Sequence, residues 1–206
     1  SAWPQSLRTS VSICLSCAFP ILIWWGRDLV MLYNDDYRPM LGEKHPRALG
    51  KRGQECWPEI WDIIGPMLDA VLARGEATRA EDLLLLLESN GYPEERYFSF
   101  SYSPIRDETG NVGGVFTPVK ETTDKVIGER RLRTLRDLAA RTAEGRDAES
   151  VCRLAAGVLA ANAFDLPFAL LYRVSGDGDT ARLASSAGIE PGHRASPVEI
   201  GRASCR

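Results

Sequence analysis

Hydrophobic residues near the start of the chain recur at helical spacing and then gather into short continuous runs. A helix over residues 3–17 is predicted by apolar positions three or four apart: Leu7, Val11, Cys14 and Leu15. Ile21–Trp25 and Leu29–Tyr33 are apolar runs separated by a Gly-Arg-Asp turn. This pattern predicts two strands joined by a hairpin.

The second run ends at Asn34, followed by the adjacent carboxylates Asp35 and Asp36. Either Asn34 or Asp35 suits the N-cap of a short helix through Leu41, because its side chain can accept from free backbone N–H groups. Catalytic carboxylates must flank a substrate, whereas adjacent residues point apart along a chain. We therefore expect a strand-to-helix junction here and no catalytic residues.

Helical periodicity returns over residues 57–74 as one apolar stripe, and Gly75 follows it: Trp57, Ile60, Trp61, Ile64, Met67, Leu68 and Val71. Gly65-Pro66 interrupts the stripe. Proline removes a helical hydrogen bond and clashes with the preceding turn, so the sequence predicts two helices meeting at an angle there.

Beyond this segment the period changes to two. Strands are predicted over Thr78–Glu88, Arg96–Ile105 and Val112–Glu121, with turns at "NGYPEE" and "RDETGN". Three aromatic side chains share one face of the second of these strands: Phe98, Phe100 and Tyr102. Two strands, then helices, then a three-strand meander predict an α+β fold, a five-stranded antiparallel sheet with helices grouped on one face.

Residues 124–145 read as a long charged helix. Between 124 and 146 there are seven basic and four acidic residues, without interleaved aromatics, which argues against nucleic-acid binding. The apolar seam is narrow and consists of Leu132, Leu135, Leu138 and Ala139. A thin seam on a long helix fits a parallel two-stranded coiled coil, so we expect a homodimer.

Composition and charge exclude several classes of protein. A net charge of −3 over 206 residues gives no general reason to expect nucleic acid, and no apolar stretch is long enough to span a bilayer. Five cysteines without framework spacing do not suggest a disulfide scaffold. We expect a cytoplasmic protein. Ser1 and the abrupt "IGRASCR" suggest a piece of a longer chain.

Several phrases in order resemble the PAS sensory domain of bacterial histidine kinases: "WPQSLR", "LYNDDYRPMLGEKHPRALG", "WPEIWD", "YFSFSYSPIRDETG" and "ETTDKVIGERRLRTLRDLAAR". The "ESVCRLAAGVLAANAFDLPFALLYRV" segment resembles the opening of a GAF domain. These resemblances imply four segments: an N-terminal helix (1–19), a PAS domain (20–122), a connecting signalling helix (123–146) and a truncated GAF-like α/β unit (147–206).

The PAS resemblance implies a sensory or dimerisation module that relays a signal through the connecting helix to a kinase or other output domain. Kinase activity itself needs a phosphoacceptor histidine and an ATP-binding domain. His45 and His193 lack a phosphoacceptor context, and no glycine-rich phosphate loop occurs. We therefore expect a regulatory fragment and not an enzyme.

A ligand pocket between helices and sheet has five aromatic candidates: Trp57, Trp61, Phe98, Phe100 and Tyr102. A small-molecule ligand there is one reading, and a ligand-free core in a structural dimerisation module is the other. A third reading is a photosensor or redox sensor using Cys56 or the Cys14/Cys17 pair. The flavin-binding phrase of light-sensing PAS proteins does not surround Cys56, and no second ligand pair accompanies Cys14 and Cys17. No cofactor or metal is predicted.

Overall fold

The computed structural model describes residues 3–89, 92–176 and 178–201. Within them the chain divides into a first unit that runs to Val126 and a second unit that begins at Ile127. The α-helices are α1 (Gln5–Ser16), α2 (Arg38–Leu41), α3 (Gly53–Cys56), α4 (Trp61–Arg74), α5 (Thr123–Thr142) and α6 (Ala148–Ala160). The strands are β1 (Ile21–Trp25), β2 (Val30–Tyr33), β3 (Thr78–Ser89), β4 (Tyr92–Arg106), β5 (Val112–Glu121), β6 (Ala169–Val174), β7 (Thr180–Ala187) and β8 (Glu199–Gly201).

The first unit is built on a five-stranded sheet with the order β2-β1-β5-β4-β3. Every neighbouring pair in this sheet is antiparallel. The main core fills the space between the sheet and helices α2, α3 and α4. The predicted α+β class and five-stranded antiparallel sheet are confirmed.

Strand β1 is apolar along its whole length because both of its faces are covered. Leu22 and Trp24 belong to the main core, whereas Ile21 and Ile23 pack in a second cluster with Cys14 of α1. Helix α1 therefore lies on the sheet face opposite to α4. A strand buried on both faces reads as a continuous hydrophobic run, which is the pattern of Ile21–Trp25.

The helical stripe over residues 57–74 breaks earlier than predicted. A 3₁₀ turn covers Pro58–Ile60, and α4 then continues through Pro66 without ending. The prediction of two helices meeting at Gly65-Pro66 is wrong. Since α4 begins at Trp61, the carbonyl that a proline at position 66 would crowd belongs to Asp62 in the first turn, where distortion is easily accommodated.

The predicted N-cap role of Asn34 or Asp35 is also wrong. A 3₁₀ turn over Asp35–Tyr37 precedes α2, and the Asn34 side chain makes no capping hydrogen bond to it. Asn34 is 3% exposed and bonds instead to the segment that leads into β1. Its buried position favours backbone partners at the start of β1 and in the residues before it over the free N–H groups of the turn.

Three smaller predictions also differ from the structure. Leu15 is 66% exposed on α1, although its spacing placed it on the apolar face. Strand β2 begins at Val30, since Leu29 has a left-handed φ of 48° in the turn. Strand β4 begins at Tyr92, so it includes most of the segment predicted as a turn, while Asn90 and Gly91 lie outside the described residues.

The second unit contains α6 and a three-stranded antiparallel sheet in the order β6-β7-β8. Asp147 caps α6 by accepting from the backbone N–H of Ser150 at 2.7 Å. A partly buried ion pair joins Arg130 of α5 to Asp165 at 2.7 Å, and Asn162 also donates to that carboxylate at 3.0 Å. The Arg130 guanidinium and the Asn162 amide lower the pKa of Asp165 to about 2.

Candidate functional site: an aromatic core beside an open groove

Four of the five predicted pocket residues meet in the interior of the first unit. Trp57, Phe98, Phe100 and Tyr102 are each less than a tenth exposed and line one cavity between the sheet and the helices. Phe100 and Tyr102 stack with ring centroids 4.7 Å apart. Trp61 lies apart from this lining, because its ring packs edgewise on Trp24 at 6.2 Å.

The interior cavity has a volume of about 40 Å³. A cavity of that size has room for a few water molecules, whereas small-molecule sites usually span about 300–1,000 Å³. The aromatic side chains therefore fill the interior as packed core. Burial also raises the pKa values of the Tyr37 and Tyr102 hydroxyls, so both stay protonated at neutral pH.

A second and much larger space lies outside this core, and no periodic pattern in the sequence predicts it. It is an open groove of about 800 Å³. Its walls come from the segment between residues 39 and 59 and from the far ends of β3 and β4. Three buried side chains line both the groove and the interior cavity, namely Met40, Trp57 and Leu87.

Lys44 is a charged side chain of the groove with several partners. Its ammonium lies 4.1 Å from the centroid of the Trp57 ring and donates to the carbonyl oxygen of Cys56 at 2.8 Å. It also forms an ion pair with Glu59. Both partners of that pair are largely shielded, with side-chain exposures of 27% and 16%, so solvent screens it less than an ordinary surface pair.

The cysteines considered as reactive groups are buried or half-buried. Burial raises the pKa of the Cys56 thiol, and it raises that of Cys14 to about 11. Both thiols are thus protonated at neutral pH, which disfavours nucleophilic or redox chemistry. Among the described residues, no group of three or more His, Cys, Asp or Glu side chains is placed to hold a metal ion.

The two adjacent carboxylates occupy the surface. The Asp35 side chain is 93% exposed and reaches only Arg38, at 3.6 Å. Asn34 is the buried member of the triplet: its Oδ1 accepts from the Ile21 N–H at 3.0 Å, and its amide donates to the carbonyls of Cys17 at 3.1 Å and Phe19 at 2.8 Å. Its role is to tie the end of α1 to the start of β1.

The start of α5 is fastened to the sheet through strand β4. The Thr122 N–H donates to the carbonyl of Tyr97 at 2.8 Å, and the Tyr97 N–H donates to the Thr123 hydroxyl at 3.0 Å. One residue earlier, Arg96 binds the Glu121 carboxylate with two hydrogen bonds, of 3.0 and 2.6 Å. These bonds surround the point where β5 becomes α5.

A second tie runs to strand β3. Lys125 donates to the Asp82 carboxylate at 2.9 Å, and Asp82 also accepts from the Ser99 hydroxyl at 3.3 Å. The Lys125 ammonium and the Thr122 hydroxyl lower the pKa of Asp82. Asp82 has a left-handed φ of 47° at the irregular position between Ala80 and Leu83, where the pairing with β4 shifts register. This bulge turns its carboxylate toward the helix.

The predicted dimer seam lies in the part of α5 that belongs to the second unit. Leu132 and Leu135 are each 62% exposed, and Ala139 is exposed as well. Leu138 is only partly exposed, so the structure sets it apart from the other three. Large exposed apolar side chains on one stripe are typical of association surfaces, and self-association through this seam stays a prediction.

The second unit is where the GAF resemblance finds no support. The family profile that describes the PAS fold matches residues 18–127, so its match ends where the second unit begins. No helix within the described ranges is both long and apolar enough to cross a membrane.

No curated protein matches the chain.

Several solved structures are similar to the chain. An RNA-binding light-oxygen-voltage receptor shares 17% identity with this chain, with a TM-score of 0.47. The match covers 70% of this chain and 41% of the receptor, so this chain spans less than half of the receptor's length. A sensory box sensor histidine kinase from Vibrio cholerae shares 21% identity with a TM-score of 0.37, covering 56% and 87%. The PAS domain of Bordetella pertussis BvgS shares 20% identity with a TM-score of 0.48, covering 63% and 96%.

PAS domains are sensory modules of histidine kinases and other signalling proteins. The PAS-fold profile matches residues 18–127 of the 206, which is more than half of the chain and includes the whole five-stranded sheet. The protein therefore belongs to the PAS family.

Proposed function

We propose that this chain is the sensory and dimerisation region of a bacterial signalling protein, and that α5 carries its signal to a histidine kinase or another output domain. The observation that carries the proposal is the fastening of the first turn of α5 to β3 and β4. A signal that alters the sheet changes the partners of Thr123 and Lys125 directly. It can shift the helix only by stabilising one arrangement more than another.

The kinase assignment rests on the sensor-kinase phrases in the sequence. We infer no catalytic activity for the chain itself, and the surroundings of its two histidines support this. The His45 Nδ1 is bonded to the Tyr33 hydroxyl at 3.0 Å. His193 lies in a turn, where its Nδ1 accepts from the Ala195 N–H at 3.1 Å. Neither is presented on the surface of a helix, as a phosphoacceptor on a dimerisation helix would be.

Coupling between sheet and helix is tested by hydrogen exchange on the whole chain. Asp82→Ala removes the carboxylate that accepts from Lys125, whereas Glu81→Ala removes a neighbouring exposed carboxylate that lies 3.7 Å from Arg79. We expect the amides of the first turn of α5 to exchange about fivefold to tenfold faster in Asp82→Ala, since a loosened end opens more often. Equal exchange in both variants would remove the basis for the relay.

A ligand-free dimerisation module is the second candidate, and the interior volume of about 40 Å³ favours it. An absorption spectrum of the purified protein, with mass spectrometry of what denaturation releases, separates the two. A stoichiometric small molecule would support a ligand sensor. A clean spectrum with nothing released, together with a dimer in sedimentation, would favour the ligand-free module.

A further inference from the structure

The second unit contains a groove of its own, which the proposed function does not use. It lies between residues 130–141 of α5, helix α6 and the segment that follows α6, and we call it the α5–α6 groove. Its volume of about 680 Å³ is within the range of about 300–1,000 Å³ that is typical of small-molecule sites. Small residues give it this room, among them Ala140, Gly157 and Ala161. A Cβ at Gly157 would meet open space, so a ligand enters here without displacing packed core.

One end of the α5–α6 groove is held by a network of hydrogen bonds. Arg130 donates to the Asp165 carboxylate through Nε at 2.9 Å and Nη2 at 2.7 Å, and the two side chains are only 20% and 12% exposed. The Asn162 amide donates to the same carboxylate and to the Thr134 hydroxyl, both at 3.0 Å. The network fixes α5 to the segment after α6, so the walls are in place before a ligand binds, which lowers the ordering cost of binding.

The lining of the α5–α6 groove carries a net positive charge. Four arginines and one aspartate line it: Arg130, Arg133, Arg141, Arg153 and Asp137. Asp165 neutralises Arg130, so three guanidinium groups remain against one carboxylate. Glu144 lies 3.6 Å from Arg141, but both partners are more than half exposed, and such a pair contributes little. Arg133 and Arg153 are exposed residues on different helices, so positive charge reaches the groove from both α5 and α6.

The chemistry of these arginines indicates a phosphate group. A guanidinium stays charged at neutral pH, and its planar fork of N–H donors matches the oxygens of a phosphate. Phe164 adds an apolar surface at the end that Arg130 fixes: its ring lines the groove, is 72% exposed and has the Arg130 guanidinium 5.4 Å from its centroid. The groove thus combines donors for an anion with a ring for an attached organic group.

We propose that the α5–α6 groove binds a small organic phosphate ester, with the dianionic phosphate held by Arg133 and Arg153 and the organic group packed on Phe164. The volume favours an ester over a bare phosphate ion, which would leave most of the space empty. A ligand that contacts both helices stabilises the arrangement of α5 and α6 that binds it. The site lies wholly in the second unit and goes beyond the relay proposed above, on which it does not depend.

Phenyl phosphate is the probe, titrated into the whole chain by calorimetry at low salt and about pH 7.5, where a phosphate ester is dianionic. Arg133→Gln removes one guanidinium from the groove. Arg136→Gln is the matched control, because it removes the same charge from an exposed position of the same helix that does not line the groove. We expect Arg133→Gln and Arg153→Gln each to weaken binding about tenfold, and Arg136→Gln to weaken it less than about twofold.

Two results of this titration would overturn the site. Equal weakening by Arg133→Gln and Arg136→Gln would show a general attraction of anions to a basic helix and no defined groove. Absence of measurable binding to the unmodified chain would exclude the site directly.

Filling the α5–α6 groove tests the location by shape instead of charge. Gly157→Leu places a side chain in the open space, whereas Gly128→Leu adds the same side chain to a position of α5 that also meets open space but lies outside the lining. We expect the first variant to weaken binding about tenfold or more and the second to leave it unchanged. Both should keep their helical signal in circular dichroism, since leucine favours a helix more than glycine does. Full affinity in Gly157→Leu would contradict the proposal.

Inorganic phosphate tests whether the ligand is an ester. We expect phenyl phosphate to bind about fivefold more tightly than inorganic phosphate, because only the ester places a ring against Phe164. Phe164→Ala should remove this difference and leave the affinity for inorganic phosphate within about twofold. Equal affinities of the unmodified chain for the two probes would rule out the ester as the ligand.

Discussion

Replacing Asn34 by alanine tests whether this residue holds the entry to the sheet. The change removes three hydrogen bonds to backbone groups of Ile21, Cys17 and Phe19, of 3.0, 3.1 and 2.8 Å. The Ile21 N–H is buried, and leaving such a donor unpaired costs about 1–3 kcal/mol. The two carbonyls are only partly buried, so water replaces part of what they lose. We expect the free energy of unfolding of the first unit to fall by about 2–4 kcal/mol.

Tryptophan fluorescence during urea denaturation is a suitable assay, because all five tryptophans lie between residues 3 and 61 and report on the first unit alone. With a typical slope of about 2 kcal/mol per molar urea, the transition midpoint should fall by about 1–2 M. Asp35→Ala is the matched control. Its exposed pair with Arg38 contributes little, so we expect a change under about 0.5 kcal/mol. A loss below about 1 kcal/mol for Asn34→Ala, or equal losses in both variants, would refute the structural role.

The remaining predictions concern packing, association and pH. Gly53→Ala should destabilise the first unit by about 2 kcal/mol in the same assay, because its Cβ would collide with the Trp24 ring. Gly128→Ala meets open space and should stabilise α5 by up to about 1 kcal/mol, seen as a gain of helical signal in circular dichroism. Leu135→Asp should weaken self-association in sedimentation about tenfold or more, because it places a charge in the predicted dimer seam. Arg136→Ala changes the net charge equally and should leave self-association unchanged. An unchanged monomer–dimer equilibrium in Leu135→Asp would contradict the predicted seam. Asp165 has a lowered pKa in the folded state, so its contribution of about 1 kcal/mol to the second unit is present above about pH 4 and lost as the pH falls toward 2. Hydrogen exchange of β6 and β7 against pH checks this, and flat protection between pH 4 and 2 would contradict it.

Regular elements were predictable wherever one local rule decided them. The bounds of β1 and β5 agree with the predicted ones residue for residue, since continuous or alternating apolar runs ended by turn residues leave few alternatives. The prediction at Pro66 was wrong because α4 begins at Trp61, so the proline falls where a helix tolerates it. The prediction at Asn34 was wrong because its side chain bonds to Ile21 on another strand and does not cap the turn.

The candidate site was predictable only where a local sequence pattern determines which face a side chain lies on. Period-two spacing places Phe98, Phe100 and Tyr102 on one buried face, which sequence alone can show. The sequence placed Trp61 on one helical stripe with Trp57, but the 3₁₀ turn over Pro58–Ile60 separates the two residues, and their rings have different neighbours. In the groove, Lys44 contacts Trp57 across an irregular loop, and no periodic pattern in the sequence predicts such a contact.

The first strand of the sheet pairs with the last, and this brings the two ends of the PAS fold side by side. Ile21 pairs with Pro118, and the Val119 N–H donates to the carbonyl of Pro20 at 3.0 Å. A domain whose entry and exit points are neighbours can be inserted into, duplicated within or removed from a longer chain while the flanking segments stay close together. The pairing of the first strand with the last therefore suits this domain to insertion between two segments of another chain.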